Sequence, residues 1–206
     1  MAAVVIRGSV PPRDLNQCIG VVCNGEIEIT ANLQDRLRAC MTIIGVDGGL
    51  NHCKKMSITP RWMIGDFDSV DPVVLEEFKQ STHATALPRA KDCTDLEAAI
   101  TQAKTISVYS QVIIWGGLGG RIDHTLGNIF LLFRDPIQLF LESEQQTLFA
   151  VSDAVGEVEI SHPACKTLTL FPLNGSATNI SISNQDGLTH IPLIDKSKLF
   201  IFPFRA

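Results

Sequence analysis

Over the first two thirds of the chain, short runs that are apolar throughout alternate with stretches whose apolar residues recur at helical spacing. Ile19–Cys23, Thr42–Val46, Trp62–Ile64, His83–Leu87 and Val112–Trp115 read as strands. Between them, Asn32–Cys40 places Leu33, Leu37 and Cys40 on one face, Leu50–Met56 is a short helix, and Asp71-Pro72 starts a helix running to Gln80. Thr94-Asp95-Leu96-Glu97 is a capping-box pattern ahead of the stripe Leu96, Ala99, Ile100 and Ala103. Asp123–Phe133 reads as a further helix. Strands that are apolar on both sides and alternate with helices predict an α/β domain whose parallel sheet is covered on both faces. Residues 1–17, with Pro11-Pro12, read as a loosely structured entry.

After Asp135-Pro136 the texture changes. Ile137–Leu141, Thr147–Val151, Val158–Ile160, Thr167–Phe171 and Asn179–Ile182 are strand-like runs separated by turn signals such as Asn174-Gly175. Closely spaced strands without helices predict a small antiparallel β domain, with the boundary near residue 135.

Composition narrows the function. With 206 residues, 45% hydrophobic and 19% charged, the chain has material for a proper core. A net charge of −5 argues against a general nucleic-acid binder but not against a nucleotide site bridged by metal. The six cysteines form no C-x-x-C pair, so no zinc framework is visible, and several that lie in apolar segments read as buried free thiols. The apolar run Ala2–Ile6 is too short for a secretory signal, and no stretch is long enough for a membrane span. A reduced, cytoplasmic setting is expected.

The chemistry concentrates at the ends of the predicted strands. In Gly65-Asp66-Phe67-Asp68-Ser69, two carboxylates follow an apolar run at i and i+2, positions that share a face of an extended backbone. Two such charges held together call for a compensating cation, and oxygen ligands select a hard one such as magnesium. The bland reading is a polar turn, since Gly, Asp and Ser are ordinary turn residues. Ligands of parallel sheets bind beyond the carboxyl ends of the strands, however, and Asp47, Asp66, Asp68 and Gly116–Gly120 all fall there, with Asp95 opening a helix after another strand. Asp47, Asp66, Asp68 and Asp95 would together hold one or two magnesium ions bridging phosphate oxygens. The glycine run lets backbone amides approach phosphates, and Arg121 adds a fixed cation. No Gly-Lys-Ser/Thr follows, so this is not a Walker A loop, nor is it a clean G-x-G-x-x-G. Asp123 serves either as a helix N-cap or in the site. His124 reads as a packed polar residue, Asp71 and Thr94 as caps, and Asp95 as a residue its helix dipole would favour in any case.

Four segments in series carry a resemblance: Val46–Asn51, Ile64–Ser69, Lys91–Asp95 and Gly116–Asn128. Their order and spacing over roughly residues 18–133 resemble the thiamine pyrophosphokinase family, whose members move a diphosphate from ATP to thiamine and release AMP. The resemblance implies a Rossmann-like ATP-binding domain followed by a β-sandwich, assembled as a homodimer with active sites at the interface. It implies Mg2+ on Asp47, Asp66, Asp68 and Asp95, with Asp66, Asp68 and Asp95 at the reacting centre. ATP would lie against Gly117, Gly119, Gly120, Arg121, Asp123 and Asn128, and Lys91 and Asp92 would face the substrate. Attack by the thiamine hydroxyl on the β-phosphorus would expel AMP.

The C-terminal region departs from the pattern. The family's Gly-Leu-Lys-aromatic-Pro-Leu-like segment is matched here by Gly187–Leu193, one residue longer and without Trp or Tyr, which leaves His190 to stack on thiamine. Ser183-Asn184 precedes that segment instead of following it, and closing strands are expected to be missing after Phe204. Two alternatives stay open: a pyrophosphokinase for a pterin-type alcohol, and a nucleotide-binding protein with impaired turnover.

Overall fold

The computed structural model describes the backbone of residues 2–7, 14–89, 92–107, 111–134, 138–151, 167–171, 177–184, 187–194 and 200–203. The chain divides into two compact units, one of residues 12–144 and one of residues 1–11 with 145–206. Ala2–Arg7 forms β1 of the second unit. The first unit holds β2 (Cys18–Val22), α1 (Ala31–Ala39), β3 (Thr42–Val46), α2 (Gly49–Lys55), β4 (Trp62–Gly65) and α3 (Pro72–Lys79). It continues through β5 (His83–Ala86), α4 (Asp95–Ile106), β6 (Gln111–Trp115), α5 (Ile122–Arg134) and β7 (Leu139–Glu142).

Every strand pairing within this unit is parallel, in the order β7-β6-β2-β3-β4-β5. The fold is α/β, as the alternation of apolar strands and helices predicts. All five residues of β2 are buried, and Ile19, Val21, Ile44, Met63, Ile113 and Leu141 form the interior of the sheet. The face toward α2 is closed by an absence: a Cβ on Gly49 would sit 2.0 Å from the Val22 carbonyl oxygen, so only glycine lets the helix start there. β5 departs from the expected two-sided cover, because all four of its residues are exposed. It is the terminal strand, and small Ala and Thr side chains offer little to bury. The strand after Asp135-Pro136 pairs parallel with β6, so the parallel unit runs on to Glu144, past the texture change near 135.

The helix ends follow the expected chemistry. The Asp71 carboxylate accepts from the Val73 amide at 2.8 Å with Pro72 at the first helical position. Thr94 and Glu97 close a reciprocal capping box at 3.1 and 2.7 Å.

The other unit adds β8 (Gln146–Val151), β9 (Thr167–Phe171), β10 (Ala177–Asn184), β11 (Gly187–Ile194) and β12 (Phe200–Pro203). β1 lies between β8 and β9, antiparallel to both, and β12 pairs with β9. The expected loose entry is therefore partly a strand: Ala-Ala-Val-Val-Ile is β-branched enough to pair on both sides, a signal that Pro11-Pro12 outweighed in the sequence. β10 and β11 form an antiparallel pair. The expected strand 158–160 and the turn at Asn174-Gly175 lie outside the described residues.

Candidate functional site

The strand order of the parallel unit reverses at β2. The chain steps outward from β2 through β3, β4 and β5, then returns to place β6 on the other side. At such a switch point the loops leaving two adjacent strands diverge and open a crevice at their carboxyl ends. Here the loops after β2 and β6 are bonded to each other, Cys23 N–H to the Trp115 carbonyl at 2.8 Å and Gly25 N–H to the Gly116 carbonyl at 3.0 Å. Gly116 has φ +72, and a Cβ on it would lie 2.5 Å from the Cys23 carbonyl oxygen. A side chain at 116 would push the loops apart.

The carboxylates gather on the neighbouring loops. Asp47 follows β3, and Asp66 and Asp68 follow β4. One oxygen from each lies within 4.8 Å of the others. The reason differs from the extended i, i+2 geometry expected of them. β4 ends at Gly65, Phe67 takes the left-handed φ of +60, and the Asp68 amide donates to Asp66 Oδ1 at 3.2 Å. The chain curls, and the curl turns both carboxylates toward Asp47, itself at φ +47. Asp66 and Asp47 are half-buried and Asp68 is exposed.

A hydrogen-bonded path joins the two parts. The Ser69 hydroxyl donates to Asp47 Oδ2, and the Asn24 amide donates to Ser69 Oγ at 3.3 Å. Asn51 bonds the Ser69 carbonyl at 3.0 Å and accepts from the Asp71 amide at 2.9 Å. His52 Nε2 donates to the Gly25 carbonyl at 2.9 Å, and burial lowers its affinity for a second proton. The imidazole is thus a neutral strut under the β2 loop. Ser69 and Asn51 stood within the sequence motifs but without a role, and Asn24 and His52 carried no signal at all. Their work is between loops, which spacing along the chain does not reveal.

A hard divalent cation fits this set. The three donors are carboxylate oxygens, and Asp47 Oδ1 is buried with no hydrogen-bond partner among the described residues. Such an orphaned anionic oxygen is costly unless a cation faces it. Asp95, expected as a fourth ligand, stands outside this trio, half-buried in the first turn of α4 and close enough to Cys23 to raise its thiol pKa further. Burial is the larger cause and takes Cys23 to about 12, so that thiol stays protonated, as do Cys53 and Cys40, each also at about 12.

At the glycine loop, Gly119 and Gly120 are exposed with left-handed φ. Gly117 is buried, and its carbonyl accepts from Asn128 Nδ2 at 2.8 Å, so Asn128 fastens the loop to α5. Arg121 pairs with Asp123 at 2.6 Å, and this hydrogen bond holds the Asp123 carboxyl down at about 2. Asp123 is the second residue of α5, not its N-cap. Asp92 is exposed, Lys91 lies outside the described residues, and His190 is paired with Ser181 across β10 and β11 with its side chain outside them.

A strand order that reverses at β2, a loop with left-handed glycines and a carboxylate trio suited to a hard cation define an α/β protein of the doubly wound kind. The family model described as "Thiamin pyrophosphokinase, catalytic domain" matches residues 33–141, more than half of the chain. The chain belongs to the thiamin pyrophosphokinase family. It is 33% identical over 118 residues to the thiamine pyrophosphokinase of Bacillus subtilis, covering 56% of this chain and 54% of that protein. It is 28% identical over 120 residues to thiamin pyrophosphokinase 1 of Caenorhabditis elegans, covering 54% and 48%. The matched region thus spans about half the length of these relatives. The crystal structure of the Geobacillus thermodenitrificans thiamin pyrophosphokinase shares the fold, with a TM-score of 0.67, 19% identity and coverage of 89% of this chain and 86% of that one.

Proposed function

We propose that this chain transfers the diphosphate of ATP to the hydroxyl of thiamine, giving thiamine diphosphate and AMP. The observation that carries the reading is the carboxylate trio Asp47, Asp66 and Asp68, bonded through Ser69 and Asn24 to the loops of the switch point. Oxygen donors around an orphaned Asp47 Oδ1 suit Mg2+, which when bound would offset the charge of the polyphosphate and polarise its oxygens. Asp95, at the mouth of α4, is the further carboxylate of this reading. ATP would lie along Gly117, Gly119 and Gly120, with Arg121 and Asp123 exposed beside it and Asn128 keeping the loop in shape.

In the reaction, the thiamine hydroxyl oxygen bonds the β-phosphorus as the bond from that phosphorus to the α,β-bridging oxygen breaks. AMP leaves with the bridging oxygen, and a carboxylate of the group takes the hydroxyl proton. Phosphoryl chemistry of this sort asks for positioning more than for a strong base. The residues 136–206 would supply the thiamine side, with Lys91, Asp92 and His190 near the substrate. Two copies of the chain, in the cytoplasm, complete the reading. Among the described residues no helix is long and apolar enough to cross a membrane.

Incubation with magnesium, ATP and thiamine tests the proposal: AMP and thiamine diphosphate should appear together in equal amounts. ADP with thiamine monophosphate would defeat diphosphate transfer. AMP formed only with a pterin alcohol would select the other substrate, and nucleotide binding without AMP would mean a binding protein.

A further inference from the structure

Among the described residues, Arg89 is a cation that already faces the carboxylates. Its Nη2 lies 3.2 Å from Asp68 Oδ2 and its Nε 3.8 Å from Asp66 Oδ2, while the side chain is 76% exposed. The backbone aims it there. Leu87 N–H bonds the Gly65 carbonyl at 2.8 Å, which ties the segment after β5 to the residue that opens the aspartate loop. Pro88 then fixes φ just before Arg89 and keeps Leu87 extended. The guanidinium thus spans two of the three carboxylates that converge on a single point.

We propose that Arg89 is an internal counter-cation that a divalent metal displaces, and that the displaced guanidinium then binds the polyphosphate brought by the metal. The inference rests on the metal reading of Asp47, Asp66 and Asp68. Arg89 and a divalent cation would answer the same negative charge on Asp66 and Asp68 and would repel each other there, so Arg89 competes with free metal. Once those charges are taken up, an exposed Arg on a long stem is left beside the metal's outer face, and a phosphate oxygen pair matches its planar fork. Arg89 therefore weakens the binding of metal alone and strengthens that of the metal–nucleotide complex. A residue of purely structural value would not act with opposite signs.

The test is titration of the full chain with Mn2+ in the absence of nucleotide, followed by titration with the magnesium complex of a non-hydrolysable ATP analogue. Arg89→Gln should bind Mn2+ about two- to fivefold more tightly than the unaltered chain, the span that an exposed ion pair commands. The same variant should bind the nucleotide complex at least about fivefold more weakly, the loss of one charge-assisted contact. Arg89→Lys should fall between the two in both titrations, since it keeps the charge and loses the fork. Mn2+ binding that Arg89→Gln leaves unchanged or weakens overturns the counter-cation role alone. Unchanged nucleotide affinity overturns the handover. If neither protein binds Mn2+, the metal reading fails and the inference falls with it.

Discussion

Ser69 does for the carboxylate trio what no aspartate can do for itself. Its hydroxyl donates to Asp47 Oδ2 and accepts from Asn24, so one Asp47 oxygen is held in place while Oδ1 stays buried without a hydrogen-bond partner among the described residues. Partners that orient a ligand commonly govern metal affinity, and Ser69→Ala is expected to weaken Mn2+ binding by about ten- to a hundredfold. Removing a carboxylate of the trio itself should cost more if it holds the metal. Asp66→Asn and Asp68→Asn are expected to abolish AMP formation while circular dichroism and the thermal midpoint stay near those of the parent chain; full activity in either would take that residue out of the metal site. That Asp47, Asp66 and Asp68 would gather was legible from the sequence, because all three follow predicted strands of one parallel sheet. The geometry of the group was not. A left-handed Phe67 and the amide of Asp68 turning onto Asp66 are backbone choices that an apolar residue rarely makes, and nothing in the residue types announces them. Arg89 was silent for a related reason: a lone arginine two residues past a strand carries no pattern until the strand's neighbour is known.

At the scale of elements, α4 joins stability to the site. Thr94 caps the helix through the Glu97 amide while the Glu97 carboxylate bonds the Thr94 amide, and Asp95 follows in the same turn. Thr94→Ala should cost about 1 kcal/mol of stability, read as a shift in a urea midpoint, and should also raise the apparent KM for ATP if Asp95 serves the site. Asp71→Ala offers the contrast. It removes the cap of α3 at a similar cost of about 1 kcal/mol, yet the Asn51 bond to its backbone survives, so Mn2+ affinity should not change. Helices of this kind were readable because caps and stripes are local. β1 and β11 were not read as strands: β1 pairs with residues 146–151 and 167–171, far along the chain, and β11 pairs with β10, which ends at Asn184 just before it. Propensity without a partner is a weak signal.

The largest scale is set by a contact between residues 106 apart. Arg36 on α1 makes a bidentate pair with Glu142 at the end of β7, one of its two bonds measuring 2.9 Å, and its guanidinium lies 5.7 Å from the ring centre of Trp115. Glu142 is 2% exposed and Arg36 14%, so the pair closes the parallel unit from its first helix to its last strand. Neither charge stood out in the sequence, since the strand reading for 137–141 ended one residue before Glu142. Glu142→Ala would leave Arg36 without a partner inside the fold and should cost about 3–5 kcal/mol in denaturant unfolding, whereas Arg36→Met with Glu142→Met should recover most of it. Titration supplies an independent readout. Burial raises the Glu142 pKa, and the hydrogen bond and charge of Arg36 oppose the rise without cancelling it. A carboxyl with a raised folded value holds its proton more tightly when folded. Its contribution is therefore complete below the ordinary Glu value and is lost as pH climbs through the raised one. Between those two values the parent chain should lose stability with rising pH, and Glu142→Gln should remove that slope; a slope that persists in the variant would assign it to another group.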